Sequence, residues 1–222
     1  MWYNFTYRGV VDMENNEKTS LLEKLNTRNK FNKWKILIGF LFIASVIYSY
    51  YDYTEWMFIE GTGISNLLAG IILIIDGILL YKNKRVPIVI YQMEVGLIMT
   101  VYCVTTFLTA FNIVNFFNFQ GGAMFLHSIN PLVFLMIYLL TTRIKENCII
   151  KYSILAPIPF MIYLLFDFIW RQINGYYLYG LIPDNTSIIL IMLIGVLAYI
   201  VELLFNYGLI KLNLYIKTKI KD

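Results

Sequence analysis

The chain contains one histidine, His127, inside the apolar run Ala123-Met-Phe-Leu-His-Ser-Ile-Asn-Pro-Leu-Val-Phe-Leu-Met-Ile-Tyr-Leu-Leu140, which is long enough to cross a bilayer. An imidazole in hydrocarbon requires a hydrogen-bond partner or a wet cavity, and it exchanges protons near neutrality, so this placement marks a candidate general base. Buried histidines also act as helix-packing donors, and that plainer reading stands beside the first. A base needs a nucleophile. Thr62 lies five residues into an apolar span that starts near Met57, and His127 is equally far into its own. Both are therefore ~8 Å deep on one side at 1.5 Å per residue. A hydroxyl attacks an ester at neutral pH only with such a neighbour to take its proton. Ser65, one turn deeper, is the alternative nucleophile.

The same layer holds further groups. Asp167 is the carboxylate nearest in depth that does not end a helix, and it is the candidate to orient the ring. Asn66, Asn130 and Arg171 are candidate donors to a developing oxyanion. Two competing readings apply. Asp167 and Arg171 are four apart, the spacing of a same-helix ion pair. Thr62, Ser65, Asn66, Ala69, Gly70 and Gly77 form a stripe of small residues suited to close helix packing. Small residues alone do not account for Glu60 and His127 meeting at one depth.

These side chains need membrane helices to hold them. Of 222 residues 59% are hydrophobic, 17% aromatic and only 14% charged, a composition outside the range of soluble domains. Apolar stretches of spanning length fall at 35–52, 57–81, 86–111, 122–141, 149–170 and 187–210. Of the 18 basic residues, 17 lie in residues 1–35 or on the 82–85, 143–151 and 211–221 segments, with Arg171 the exception. Basic residues stay on the cytoplasmic side, so both termini are expected there, with the 112–121 and 172–186 connections outside. The net charge of +4 follows from this topology and from attraction to anionic lipid, and it gives no nucleic-acid footprint. Residues 1–34 show no cleavable signal peptide, and Arg8-Gly9, whose codons can spell a ribosome-binding site, point to Met13 as the start of translation. Cys103 and Cys148 fall on different helices at different depths, too far apart to pair. One histidine and two separated cysteines make no metal site, and no cofactor motif appears.

A second set of acids lies nearer the basic side: Asp76, Glu94 and Glu202. A carboxylate at a helix centre costs about 2.5–3.5 kcal/mol on insertion scales, so these should be protonated, wet, or hydrogen-bonded to groups such as Tyr91, Tyr102 or Asn206. With Glu60 and Asp167 they would form a proton or cation path, the basis of a carrier reading. No inverted repeat accompanies them. Pro157 and Pro159 are expected to kink the fifth span, and Pro131 follows His127 by one turn.

Three motifs carry a resemblance. Gly61-Thr-Gly-Ile-Ser-Asn-Leu-Leu68, Phe125-Leu-His-Ser-Ile-Asn-Pro131, and Pro159-Phe-Met-Ile-Tyr163 followed by Arg171, Gly175, Tyr176 and Pro183 resemble the six-pass membrane family of the androgen-induced proteins, its bacterial members most of all. The resemblance covers residues 35–215. It implies an intramembrane hydrolase of fatty acid esters of hydroxy fatty acids that uses a threonine nucleophile and a histidine, with Thr62 and His127 at the matching positions. Bacterial relatives read Phe-Thr-x-x-Ser-Asn, whereas Glu60-Gly61 precedes Thr62 here, which keeps Ser65 open as the nucleophile.

The expectation is an all-α polytopic membrane protein: a polar cytoplasmic segment 1–34, a six-helix transmembrane domain 35–210 with both ends inside, and a basic tail 211–222. It is placed in a bacterial plasma membrane. Its expected activity is hydrolysis or transfer of the acyl group of a lipid-like ester near the outer leaflet, with no metal, cofactor or nucleic-acid partner. A proton-coupled or small-solute carrier is the second reading and a non-catalytic scaffold the third.

Overall fold

A computed structural model of the protein describes residues 29–111, 121–178 and 186–221. The proposed start at Met13 and the 112–120 connection lie outside these residues. Six helices among them are long and apolar enough to cross a membrane, and no strand occurs among the described residues. They are α1 (Asn29–Ser49), α2 (Gly61–Tyr81), α3 (Ile88–Ala110), α4 (Gly121–Thr141), α5 (Glu146–Asn174) and α6 (Ile188–Lys221). The expected all-helical, six-span class is the one observed.

Boundaries differ from expectation at both ends of the chain. The first described helix covers Asn29–Ser49, and α6 continues to Lys221, through most of the segment expected as a tail. Lysines do not end a helix; they only end an apolar pattern, and Lys and Leu are both good helix formers. Between α1 and α2 a 3-10 turn, Trp56–Phe58, precedes Glu60, so α2 starts at Gly61 and not near Met57. At Pro157 α5 is interrupted: one helical segment ends at Leu155 and the next starts at Ile158, as the missing proline N–H requires.

Helices α1 and α2 run antiparallel and cross on glycines. A Cβ on Gly39 would come within 2.6 Å of the Gly70 carbonyl oxygen, and one on Gly77 within 2.9 Å of that of Asn32. The small-residue stripe therefore packs helices at Gly70 and Gly77, as its plainer reading had it. Helix α3 is the centre of the bundle: of residues 91–99 all but Met93 are buried, so every face of that stretch is covered. Ala69, Leu73, Val95, Ile98, Phe134 and Ile210 fill the apolar core, and the Tyr91 ring stacks on Phe134 at 5.8 Å. Large apolar side chains along α6, from Ile188 to Leu204, point outward, as lipid contact requires.

The interior is polar where the exterior is not. The Lys35 ammonium meets the Asp76 carboxylate at 2.5 Å with both side chains 2% exposed. Tyr91 and the Val86 amide also donate to Asp76, at 2.9 and 3.0 Å. The expected Tyr91 contact is present, but the main partner is Lys35, counted from sequence only among the basic residues of the cytoplasmic side. Lys35 lies on α1, and the antiparallel packing of α1 on α2 sets it against Asp76. On α3, Gln92, Gly96 and Thr100 share one face by their spacing of four. Gln92 Nε2 donates to Asn206 at 2.8 Å, Thr100 donates to Glu202 at 2.6 Å, and Tyr138 donates to Gln92 at 2.5 Å. This polar seam joins α3, α4 and α6.

Candidate functional site

The site is built where α4 departs from α-helical geometry. Pro131 has no N–H, and its ring would collide with the carbonyl of the residue four before it, which is His127. The helix responds by widening into a π-turn, Phe125–Ile129, with His127 at its middle and the Asn130 N–H bonded to the Phe125 carbonyl. Such turns are frequent at functional sites. In this register the Leu126 carbonyl would take its hydrogen bond from residue 131, and proline cannot supply one. Asn66 of α2 supplies it, with Nδ2 3.1 Å from the Leu126 oxygen.

Asn66 is fully buried and bonded on both sides of its amide. Nδ2 also donates to the Thr62 carbonyl at 2.9 Å, while Oδ1 accepts from Asn130 Nδ2 at 2.9 Å. Asn130 donates in turn to Ser45 of α1 at 2.8 Å. Three helices are thereby joined through two amides, which engage their N–H hydrogens within the protein. This brace holds the Thr62 turn of α2 against the backbone of the residue preceding His127. The structure thus brings together the segments carrying Thr62, Asn66, His127 and Asn130.

Thr62 is the second residue of α2 and is buried. The first intrahelical bond of α2 runs from Ile64 to Glu60, so the amides of Gly61, Thr62 and Gly63 have no acceptor within the helix. Glycines on either side let other groups close around it. A Cβ on Gly61 would lie 3.0 Å from the Tyr163 ring, and one on Gly63 would collide with the Met57 carbonyl. Tyr163, of α5, therefore covers the start of α2 beside Thr62. Glu60, just before the helix, accepts a hydrogen bond from Tyr50 at 2.7 Å. Ser65 is also fully buried, and its hydroxyl donates to the Thr62 carbonyl at 3.1 Å, back into its own helix. His127 is half-buried.

Asp167 and Arg171 lie at the end of α5. The Asp167 carboxylate accepts the Leu178 amide at 2.9 Å, and the Arg171 guanidinium lies over the Tyr177 ring at 5.1 Å. Both hold the segment after Gly175, whose left-handed backbone (φ 85°) ends the helix. Ser45 and Tyr50 were not legible as members of this region, since α1 carries no motif. The pairing of a proline four residues after His127 with a buried asparagine on another helix was the available signal for the brace.

Comparison of the chain with protein-family models, with curated proteins and with solved structures gives no match.

Proposed function

We propose that the protein is an integral membrane hydrolase or acyltransferase of a lipid-like ester, with Thr62 as nucleophile and His127 as general base. The observation that carries this reading is the Asn66 to Leu126 hydrogen bond, which fixes the Thr62 turn of α2 against the widened turn of α4 that bears His127. A nucleophile and its base act only when held in one geometry, and a rigid brace of buried amides supplies that. In the proposed reaction the Thr62 hydroxyl adds to the ester carbonyl as its proton passes to His127. The alkoxide then leaves as an alcohol by taking that proton back, and water releases the acyl group. The first turn of a helix directs its N–H groups and the positive end of its dipole forward, which suits the start of α2 to a developing oxyanion. This assignment replaces Asn66 and Asn130, whose amide hydrogens already serve the brace. The bond from Ser65 into its own helix weighs against Ser65 as the attacking group. Asp167 and Arg171 fit a role in holding the α5 end over the site. The test is labelling by a fluorophosphonate. Thr62→Ala and His127→Ala should each abolish it, and Ser65→Ala should keep most of it. Loss in Ser65→Ala with retention in Thr62→Ala would move the nucleophile.

A specific observation favours the carrier as a second reading. Glu94 and Glu202 are each 3% exposed, and in each the Oε1 atom has no hydrogen-bond partner among the described residues. Buried acids left partly unsatisfied inside a membrane are candidates for reversible protonation. Its test is proton-coupled flux in vesicles: Glu94→Gln and Glu202→Gln should abolish flux without touching labelling.

A further inference from the structure

Helices α3 and α6 are joined on one half of the bundle and part on the other. On the joined half Gln92 donates to Asn206, whose Oδ1 lies so near Gly96 that a Cβ there would come within 2.6 Å of it. The last link is Thr100 to Glu202 at 2.6 Å. Beyond that pair, toward the half that carries Thr62, the two faces continue but no longer cover each other. Cys103 and Phe107 follow Thr100 at helical spacing and so stay on the face that met α6, yet both are exposed. Of α6, no residue in 188–201 is buried, and Glu202 is the first that is. Gly195 falls on the Glu202 face two turns earlier, and a Cβ built on it would meet nothing within 4 Å among the described residues. A cleft thus separates the helices, about 10 Å long from Gly195 to Glu202 at 1.5 Å per residue. Tyr199, one turn from Gly195, donates to the Ile154 carbonyl at 3.2 Å, which places α5 beside the cleft.

The closed end of the cleft holds a carboxylate. Glu202 accepts from Thr100 at Oε2, while Oε1 is buried without a hydrogen-bond partner among the described residues. Long side chains on a helix lean toward its N-terminus, which for α6 is the Gly195 end, so this carboxyl leans into the cleft. It lies about 20 Å from the start of α6, deep in hydrocarbon, where a carboxylate is costly unless it is neutral or matched. Neither α3 nor the part of α6 before Lys211 contains a lysine or arginine to match it. A cation in the cleft would do so without displacing the side chains that cover Oε1, because charge acts over several ångströms in a low dielectric.

The open end is aromatic. Phe107 and Phe111 continue the Thr100 face of α3, with ring centroids 4.5 Å apart and exposures of 56% and 64%. Ring faces attract cations and are the usual means of holding quaternary ammonium groups. Walls of Val104, Ala198 and Gly195 offer nothing to a hydrated inorganic ion. We propose that the cleft between α3 and α6 is a binding site for a lipophilic organic cation, with Phe107 and Phe111 at its mouth and Glu202 as the counter-charge. Binding itself needs neither reading of function; as the class of solute carried, the cation rests on the carrier reading of Glu202.

The experiment measures equilibrium binding of tetraphenylphosphonium to the full chain in detergent. Glu202→Gln keeps the side-chain shape and should weaken binding at least about ten-fold, as loss of a desolvated charge partner does. Gly195→Leu puts a side chain into the cleft and should weaken it by a similar factor with no fall in melting temperature, since it displaces nothing. Phe107→Ala should cost about three-fold. Glu94→Gln, on another face of α3, should change binding less than about two-fold. Tetraphenylborate, of the same shape and opposite charge, should not bind. Binding unchanged in Glu202→Gln, or equal binding of tetraphenylborate, would overturn the cation assignment, and binding unchanged in Gly195→Leu would overturn the location. Should Glu202→Gln fail to fold, Gly195→Leu and the borate comparison decide the matter. Proton-coupled flux of the phosphonium in vesicles separates site from carrier. Binding without flux supports the site and counts against the carrier reading, whereas flux that survives Gly195→Leu overturns the site.

Discussion

Replacing Asn66 with leucine keeps the side-chain volume and removes three hydrogen bonds, two of them between helices. Hydrogen bonds between membrane helices contribute about 0.6 kcal/mol on average and about 1.7 at most, so losing two should destabilise the protein by about 1–3 kcal/mol. The particular cause makes a sharper test. The Leu126 carbonyl depends on Asn66 because residue 131 is proline, and an alanine there would restore the missing N–H. In a Pro131→Ala background the penalty of Asn66→Leu should therefore shrink by about 0.6–1.7 kcal/mol, the value of one such bond. The assay is a double-mutant cycle of unfolding free energies in a mixed detergent titration. Fluorophosphonate labelling of the same four proteins would run alongside it. Labelling should fall in Asn66→Leu and partly return in the double variant. Additive costs, with Asn66→Leu equally damaging in both backgrounds, would refute the account of the brace.

Other perturbations have equally definite outcomes. Lys35→Met or Asp76→Asn alone should cost about 3–5 kcal/mol by leaving a buried charge unpaired, while the double variant should cost clearly less than the sum, as a thermal-unfolding cycle would read. Gly63→Ala should be poorly tolerated because its Cβ meets the Met57 backbone. Gly61→Ala meets only the Tyr163 ring and should recover stability in a Tyr163→Ala background, both checked by melting temperature. A cysteine placed at Asn118 in a chain lacking Cys103 and Cys148 should react with an impermeant thiol reagent added outside intact cells; reaction only after lysis would reverse the expected orientation.

The helical class was legible because lipid demands the same thing of every spanning segment, a long apolar helix with its backbone satisfied internally. The depth match of Thr62 and His127 was reckoned from a span starting near Met57, and the 3-10 turn before Glu60 moves that start to Gly61, so the helical rise alone does not relate the two residues. What the sequence concealed were contacts that depend on rotation about the helix axis and on where a polar helix end lies. Lys35 counts in sequence only as one more charge of a basic stretch, and it is buried against Asp76 because of the face of α1 on which it falls. Asn66 and Asn130 look like free donors in a polar layer, yet their amides brace the helices, because a proline on α4 leaves a carbonyl to be answered from α2. The buried acids were expected to bond groups such as Tyr91, Tyr102 or Asn206; Asn206 does bond Glu202, at its carbonyl, and the unforeseen partner is Thr100, which shares the Gln92 face of α3.

The most direct test of the central claim is to locate the covalent adduct. Purified full-length protein treated with a fluorophosphonate, digested and sequenced by tandem mass spectrometry should carry one modification, on the Thr62 hydroxyl. The modification should be absent when His127 is replaced with alanine, since the base is what makes that hydroxyl react. An adduct on another residue, or a Thr62 adduct that forms as fast without the imidazole, would contradict the account.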